Sequence, residues 1–155
     1  MLYAGLMIED GAARLVEYNV RFGDPETQVL AMRLGAQLLD AILACAEGRT
    51  AEGVVNWADD HAMTIVVAAK GYPGDHARGE AIGLPAIDLP GAQIFHAGTR
   101  LAEGALVSNG GRVLNVTARA ATLAEARDRA YATLDAIDWP GGFARRDIGW
   151  RALGR

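Results

Sequence analysis

One stretch of the sequence predicts a strand, a turn and the start of a helix, and it reads Glu17-Tyr18-Asn19-Val20-Arg21-Phe22-Gly23-Asp24-Pro25-Glu26-Thr27-Gln28. Side chains on a strand alternate between two faces, so Glu17, Asn19 and Arg21 share one face. The opposite face is apolar and carries Val16, Tyr18, Val20 and Phe22. The strand therefore presents polar groups where an ordinary buried strand presents apolar ones.

The polar face has the chemistry of a site for a cation and an anion. A carboxylate and an amide oxygen two residues apart lie about 6 to 7 Å from each other along a strand, near enough to share a hard cation. The guanidinium of Arg21 suits a phosphate or carboxylate that accompanies such a cation. The same spacing is also compatible with a solvent-facing edge strand that carries ordinary polar residues, or with Arg21 pairing with a nearby acidic residue.

The flanking sequence predicts how this strand is held. Residues Leu2 to Ile8 are typical of a buried strand, and the Asp10-Gly11 pair predicts a tight turn that accepts positive φ. Leu15 to Arg21 then returns as the antiparallel partner. The result is a hairpin whose second arm carries the polar face.

A helical segment is predicted to follow the hairpin. Asp24 is expected to act as the N-cap, with Pro25 at the first helical position. Apolar residues continue at helical spacing to Ala46, with a break between two helices at Gly35. Cys45 is the only cysteine, so no disulfide within the chain is possible, and we expect its side chain to be buried.

The remainder of the chain predicts a mostly antiparallel β unit with one long helix. Strands are expected over His61 to Lys70 and near Ala81–Gly83, Gln93–Thr99, Ala105–Ser108 and Arg112–Ala118. The helix runs from a capping box at Thr122 to about Ile137. Periodicity is lost between about Glu47 and Asp59, which is where we expect a boundary between two units.

Two further places carry candidate binding groups. Lys70, the only lysine of the 155-residue chain, is interpreted either as a solvated charge at a strand end or as a contact to substrate or phosphate. The turn Asn109-Gly110-Gly111-Arg112 is interpreted either as an anion cradle or as a tight hairpin. A net charge of −4 gives no basic surface for nucleic acid, and no run approaches membrane-spanning length. We expect a cytoplasmic protein without nucleic-acid or membrane partners.

Four separated motifs carry a resemblance to a known family. They are the stretch at residues 17–28, Lys70-Gly71-Tyr72-Pro73-Gly74, Asn109-Gly110-Gly111-Arg112-Val113-Leu114 and Arg146-Asp147-Ile148-Gly149-Trp150-Arg151-Ala152-Leu153. In order and spacing they resemble the C-terminal portion of the phosphoribosylamine-glycine ligase family, which belongs to the ATP-grasp superfamily. The resemblance implies an α+β fold: the C-terminal end of an ATP-grasp domain (a β-hairpin plus helices) at residues 1–50, then a phosphoribosylglycinamide synthetase C-domain at residues 51–155.

The resemblance also implies roles for individual residues. Glu17 and Asn19 correspond to ligands of Mg²⁺, with Mn²⁺ as a possible substitute. Arg21 corresponds to a catalytic residue that holds the transferring phosphate or the glycine carboxylate, so that these three residues together bind the metal-nucleotide group. The substrate-binding residues implied are Arg21, Gly23, Asp24, Pro25 and Lys70.

The implied reaction is the ATP-dependent joining of glycine to 5-phosphoribosylamine through a glycyl phosphate, giving glycinamide ribonucleotide, ADP and phosphate in purine biosynthesis. The first half of the grasp, the central lid and the N-terminal domain are missing from this match, so we expect the chain to be inactive alone. Two alternatives stay open at this point: another ATP-grasp carboxylate-amine ligase, and a noncatalytic fragment or binding module.

Overall fold

The computed structural model describes residues 2–49, 55–86 and 89–154. The elements, in chain order, are β1 (Tyr3–Glu9), β2 (Ala12–Asn19), α1 (Glu26–Leu34), α2 (Gln37–Ala46), β3 (His61–Ala69), β4 (Ala92–His96), β5 (Thr99–Ala102), β6 (Ala105–Ser108), β7 (Arg112–Ala120), α3 (Leu123–Asp135), β8 (Gly142–Phe143) and α4 (Trp150–Leu153). The structure combines helices with sheets whose strands pair antiparallel, which confirms the α+β class.

The opening hairpin is confirmed, with one irregularity. β1 and β2 pair antiparallel through a turn in which Asp10 and Gly11 have φ angles of 50° and 77°. The register shifts between Gly5 and Leu6, which face Glu17 and Leu15 respectively, so Val16 is an extra residue in β2. Residues directly opposite each other share a face, and therefore this bulge puts Leu15 and Glu17 on opposite faces of the hairpin.

The prediction that the first strand is buried is wrong. Almost every residue of β1 and β2 is exposed, because no other part of the described chain covers either face of the hairpin. One face carries four large apolar side chains that are each half exposed or more, namely Leu6, Ile8, Leu15 and Tyr18. A strand pattern predicts burial only when the partner that covers it is present.

The two helices that follow are bent sharply against each other. Gly35 adopts a φ of 56° between α1 and α2, and the helix axes bend by 108° there, which confirms the predicted break. No described helix alone has the length and hydropathy to cross a membrane. The α1–α2 pair reaches that length and hydropathy only if the two helices, which are bent against each other, are counted as one segment. Cys45, predicted to be buried, is exposed on α2.

The second half of the chain is built on a four-stranded antiparallel sheet in the order β4-β7-β3-β8. Helix α3 covers one face of this sheet, and its capping box between Thr122 and Glu125 is present as predicted. The core between helix and sheet is formed mainly by apolar side chains of β3, β7 and α3, including Ile65, Leu114, Val116, Ala130 and Leu134.

Two predicted strands differ in the structure. Ala81 and Gly83 form isolated bridges with Val107 and Asp138 instead of a strand. The strand predicted over Gln93–Thr99 is divided into β4 and β5. At the division the Gly98 amide donates to the Arg112 carbonyl (3.0 Å), which bends the chain so that β5 pairs with β6 outside the main sheet.

Helix α1 packs against the other face of the four-stranded sheet, on β3 and β7. Arg119 of β7 makes this joint: its guanidinium donates to the Met32 carbonyl of α1 and, at 2.6 Å, to the Asp60 carboxylate. The hydrogen bond from Arg119 is the main cause that lowers the pKa of Asp60 below its ordinary value of 3.8. The boundary expected between residues 50 and 51 lies outside the described residues and stays a prediction.

Candidate functional site

The carboxylate and amide predicted to hold a cation lie side by side near the end of β2. The Asn19 amide nitrogen donates to Glu17 Oε1 at 2.9 Å, with the Glu17 side chain exposed and Asn19 half-buried. Gly5 faces Glu17 across the hairpin, and a Cβ there would stand 3.3 Å from Glu17 Cγ. The small residue on β1 thus leaves room for the Glu17 side chain on the polar face.

This pair supplies oxygen donors of the kind that Mg²⁺ and Mn²⁺ prefer. Within the described ranges, no group of three or more His, Cys, Asp and Glu side chains is arranged to hold a metal ion. Two side-chain oxygens cover a minority of a six-coordinate shell. The donor set therefore fits a hard cation that takes its other ligands from water, substrate or another part of a protein.

Arg21 lies just beyond the end of β2, where the strand pairing has stopped. Its guanidinium is exposed and donates one hydrogen bond, from Nη1 to the Phe22 carbonyl at 3.0 Å. In the described part of the chain it makes no hydrogen bond with Glu17 or Asn19. The structure thus brings Glu17 and Asn19 together and leaves the Arg21 side chain free to turn.

The turn that contains Gly23, Asp24 and Pro25 joins β2 to α1, and the helix start predicted there is wrong in detail. The N-cap residue is Pro25, not Asp24, and its side chain makes no capping hydrogen bond. The turn is held instead by hydrogen bonds between Gly23 and the first turn of α1. The Gly23 amide donates to Glu26 Oε1 (3.0 Å). Thr27 donates to the Gly23 carbonyl through both its amide (3.1 Å) and its hydroxyl (2.6 Å).

The Asp24 side chain is paired with an arginine that the sequence placed in the glycine-rich turn, as part of an anion cradle or a hairpin, and not among the metal or substrate contacts. Arg112 places Nη2 3.3 Å from Asp24 Oδ2 and donates from Nη1 to the Asp24 carbonyl at 3.3 Å. The two residues are 88 positions apart. The only sequence signal was the position of Arg112 after a glycine-rich turn, and nothing in that pattern names its partner.

The Lys70 loop meets the same glycine-rich turn. Lys70 is exposed at the end of β3, and its amide donates to the Gly141 carbonyl at 2.8 Å. Two residues later, the Tyr72 ring fills the space beside Gly111, where a Cβ would stand 2.2 Å from the ring. The loop that carries Lys70 and the turn that carries Arg112 are therefore in direct contact.

The turn at residues 109–111 is not the tight hairpin that was one of its two interpretations. It connects β6 to β7, and these strands lie in different sheets. The Asn109 amide donates to the Gly98 carbonyl at 2.7 Å, and a Cβ on Gly98 would stand 2.9 Å from Gly110 Cα. The turn is thus a close backbone crossing that fixes where Arg112 begins β7.

An apolar groove of about 600 Å³ lies beside Arg21. Its lining comes from the end of the hairpin, both helices and the segment after residue 54, and includes Val20, Phe22, Leu34, Leu38, Ile42, Cys45 and Trp57. Several of these side chains are exposed, among them Val20 at 83%. The groove and the apolar face of the hairpin together leave a large apolar surface uncovered.

Two family profiles match separate parts of the chain. The profile of the family described as "Phosphoribosylglycinamide synthetase, C domain" matches residues 62–151. The profile described as "Phosphoribosylglycinamide synthetase, ATP-grasp (A) domain" matches residues 1–27. The second match contains Glu17, Asn19 and Arg21, and the first contains the four-stranded sheet and α3.

Individual relatives agree with these matches. The phosphoribosylamine–glycine ligase of Mesorhizobium japonicum is 56% identical over 100% of this chain and 37% of its own length, and that of Escherichia coli K12 is 48% identical over 99% of this chain and 37% of its own length. The crystal structure of phosphoribosylamine–glycine ligase from Thermotoga maritima superposes with a TM-score of 0.85 at 38% identity, covering 94% of this chain and 36% of that one.

The chain thus spans little more than a third of the length of these relatives. The C-domain profile alone matches more than half of the chain, and the fold agrees with a solved member over nearly the whole chain. On the extent of the C-domain match and on the fold, this chain belongs to the phosphoribosylglycinamide synthetase family.

Proposed function

We propose that this chain supplies part of the active site of an ATP-dependent ligase that joins glycine to 5-phosphoribosylamine. ATP phosphorylates the glycine carboxylate, and the amine of phosphoribosylamine displaces phosphate from the glycyl phosphate to give glycinamide ribonucleotide, ADP and phosphate. The observation that carries the proposal is the Glu17–Asn19 pair, held at 2.9 Å on an exposed hairpin within the ATP-grasp match.

Glu17 and Asn19 are the proposed ligands of Mg²⁺ or Mn²⁺. Glu17 is exposed and offers its carboxylate without rearrangement, whereas Asn19 must rotate its amide so that the oxygen, not the nitrogen, faces the cation. The cation, when bound, neutralises negative charge between the β and γ phosphates of ATP. With both oxygens on one strand face, the position of that charge would be fixed relative to the turn that follows.

Arg21 is the proposed catalytic residue, and its guanidinium carries the positive charge that acts in the reaction. Its exposed guanidinium has five donors and spends one on a neighbouring carbonyl, so it can turn to the transferring phosphoryl group or to the glycine carboxylate. Such a preorganised donor stabilises charge that develops during transfer. Gly23, Asp24 and Pro25, in the turn beyond it, and Lys70, at the end of β3, are the proposed substrate contacts.

The proposed partners of the chain are the upstream ATP-grasp and N-terminal parts that its relatives possess. The apolar hairpin face and the groove beside Arg21 support this, because an exposed apolar surface of that extent marks an interface. The active site would be completed between the two parts, so the 155-residue chain is proposed to be inactive alone. A cytoplasmic location is retained as a prediction.

The test uses a joined ligase, defined as this chain fused behind the upstream segment of the Mesorhizobium japonicum relative. We expect ADP release that requires both glycine and phosphoribosylamine. Glu17→Ala and Arg21→Ala should each lower kcat by about 10² to 10³, the usual effect of removing one preorganised charge or donor. Glu17→Ala should also weaken Mn²⁺ binding measured by electron paramagnetic resonance.

Glu9→Ala is the matched control, since Glu9 is an exposed glutamate of the same hairpin and its ion-pair partner among the described residues is Arg14, at 3.7 Å. Its turnover should stay within about twofold of the unmodified joined ligase. Turnover without dependence on glycine would point to a different carboxylate substrate. Near-normal kcat in Glu17→Ala would refute the assigned metal ligand, and ADP release by the isolated chain would refute its proposed inactivity.

A further inference from the structure

We propose that Arg112 is a positioning residue that fixes the Asp24 turn, and through it Asn19 and Arg21, to the sheet of the C domain. This inference rests on the proposed function of the hairpin residues. It assigns a role to a side chain that belongs to neither the metal pair nor the proposed substrate contacts. The geometry that carries it is a two-point contact between elements far apart in sequence.

The backbone of Arg112 is held in a rigid setting. It begins β7, which is an interior strand paired with β3 on one side and β4 on the other. Its carbonyl accepts from the Gly98 amide at 3.0 Å, and the Gly111 carbonyl just before it accepts from Ala69 at 2.8 Å. A Cβ on Gly98 would stand 2.7 Å from the Arg112 carbonyl, so only glycine allows this approach. The base of the side chain therefore moves with the sheet.

The guanidinium of Arg112 contacts Asp24 at two points. Nη2 lies 3.3 Å from the Asp24 carboxylate and Nη1 3.3 Å from the Asp24 carbonyl. A planar guanidinium that meets both groups restricts the direction of the turn as well as its distance. Since the side chains are 43% and 40% exposed, the contact contributes little to global stability but defines a local orientation.

The turn transmits that orientation over a short distance. Asp24 is three residues beyond Arg21 and five beyond Asn19, and the intervening Gly23 is tied to the first turn of α1 by bonds to Glu26 and Thr27. A shift of about 1 Å in reacting groups costs large factors in rate. Arg112 thus sets where the hairpin site lies relative to the C-domain loops, including the one that carries Lys70.

The first measurement is hydrogen–deuterium exchange on the 155-residue chain. Arg112→Ala should make the Gly23 and Thr27 amides, both hydrogen-bonded within the turn, exchange about fivefold faster. Amides of β3 and of β7 from Val113 onward should keep their protection. Arg100→Ala is the control, because Arg100 is an exposed arginine of β5 for which the described residues provide no ion pair. Unchanged exchange in the turn, or loss of protection throughout the sheet, would overturn the proposal.

The second measurement is steady-state kinetics in the joined ligase. Arg112→Ala should lower kcat about tenfold while the KM for each substrate changes less than about twofold, and Arg112→Lys, which keeps the charge but not the two-point contact, should restore only part of the loss. A raised KM with normal kcat would show that Arg112 binds substrate directly, and normal kinetics would show that it does not position the site. If the unmodified joined ligase is inactive, the proposed function fails instead, and the exchange result still decides whether Arg112 holds the turn.

Discussion

Replacing Asp60 by asparagine should weaken the joint between α1 and the C-domain sheet in a pH-dependent way. Asp60 Oδ2 receives a 2.6 Å hydrogen bond from Arg119 Nε, and the two side chains are 25% and 32% exposed. The exposure of this ion pair is intermediate between that of a surface pair and that of a buried one. We therefore expect it to contribute about 1 to 2 kcal/mol to the free energy of unfolding at pH 7. The Asp60→Asn variant keeps the shape and loses the charge.

The sign of the pH dependence follows from the direction of the pKa shift. The Arg119 hydrogen bond lowers the pKa of Asp60 in the folded chain below the ordinary 3.8. The stabilisation is therefore fully present above about pH 4 to 5 and is lost as pH falls through the folded pKa. The difference in unfolding free energy between the original chain and Asp60→Asn should be largest near neutral pH and should vanish in strong acid.

Urea unfolding followed by tryptophan fluorescence at several pH values between 7 and 2.5 measures this difference. Asp59→Asn is the matched control, since Asp59 is exposed and makes no ion pair within the described residues, and its effect should stay within about 0.5 kcal/mol at every pH. If the two variants lose the same stability at pH 7, or if the Asp60→Asn deficit is unchanged at pH 2.5, the ion pair does not stabilise the joint.

Two further outcomes are expected. Leu114→Ala removes a fully buried side chain from the core and should lower the free energy of unfolding by about 2 to 5 kcal/mol. Leu101→Ala is the control, because Leu101 is 75% exposed, and it should lower that free energy by less than about 0.5 kcal/mol. Equal losses in urea titrations would contradict the core assignment. Cys45 lines the uncovered groove, so maleimide should label it at least about tenfold more slowly in the joined ligase than in the isolated chain. Equal labelling rates, followed by mass spectrometry, would mean that the upstream part leaves the groove open.

Features set by neighbouring residues were predictable from the sequence. The Asp10-Gly11 turn, the Gly35 break and the Thr122 capping box each depend on backbone conformations or hydrogen bonds within a few residues, and each is present. The nearness of Glu17 to Asn19 likewise follows from the two-residue repeat of a strand. Local chemistry was sufficient in these cases because no distant partner competes for the groups involved.

Features that depend on distant partners were not predictable. Asp24 has the residue type and position of an N-cap, but Arg112 competes for its carboxylate and the helix begins without it. The pattern of β1 is that of a buried strand, yet the strand is exposed in the described part of the chain. In both cases the sequence does not show which residues pack beside the side chain in the folded structure.

The additional residue in β2 makes this strand tolerant of one particular change in length. Because Val16 has no partner across the hairpin, deleting it would let the ladder run without interruption while the pairs on either side, Gly5 with Glu17 and Leu6 with Leu15, stayed the same. Leu15 and Glu17 would become neighbours in the chain, and neighbouring residues of a regular strand point to opposite faces, so the apolar and polar sides of the hairpin would both be preserved. What the shortened strand would lose is the local bend and extra twist that a bulge introduces.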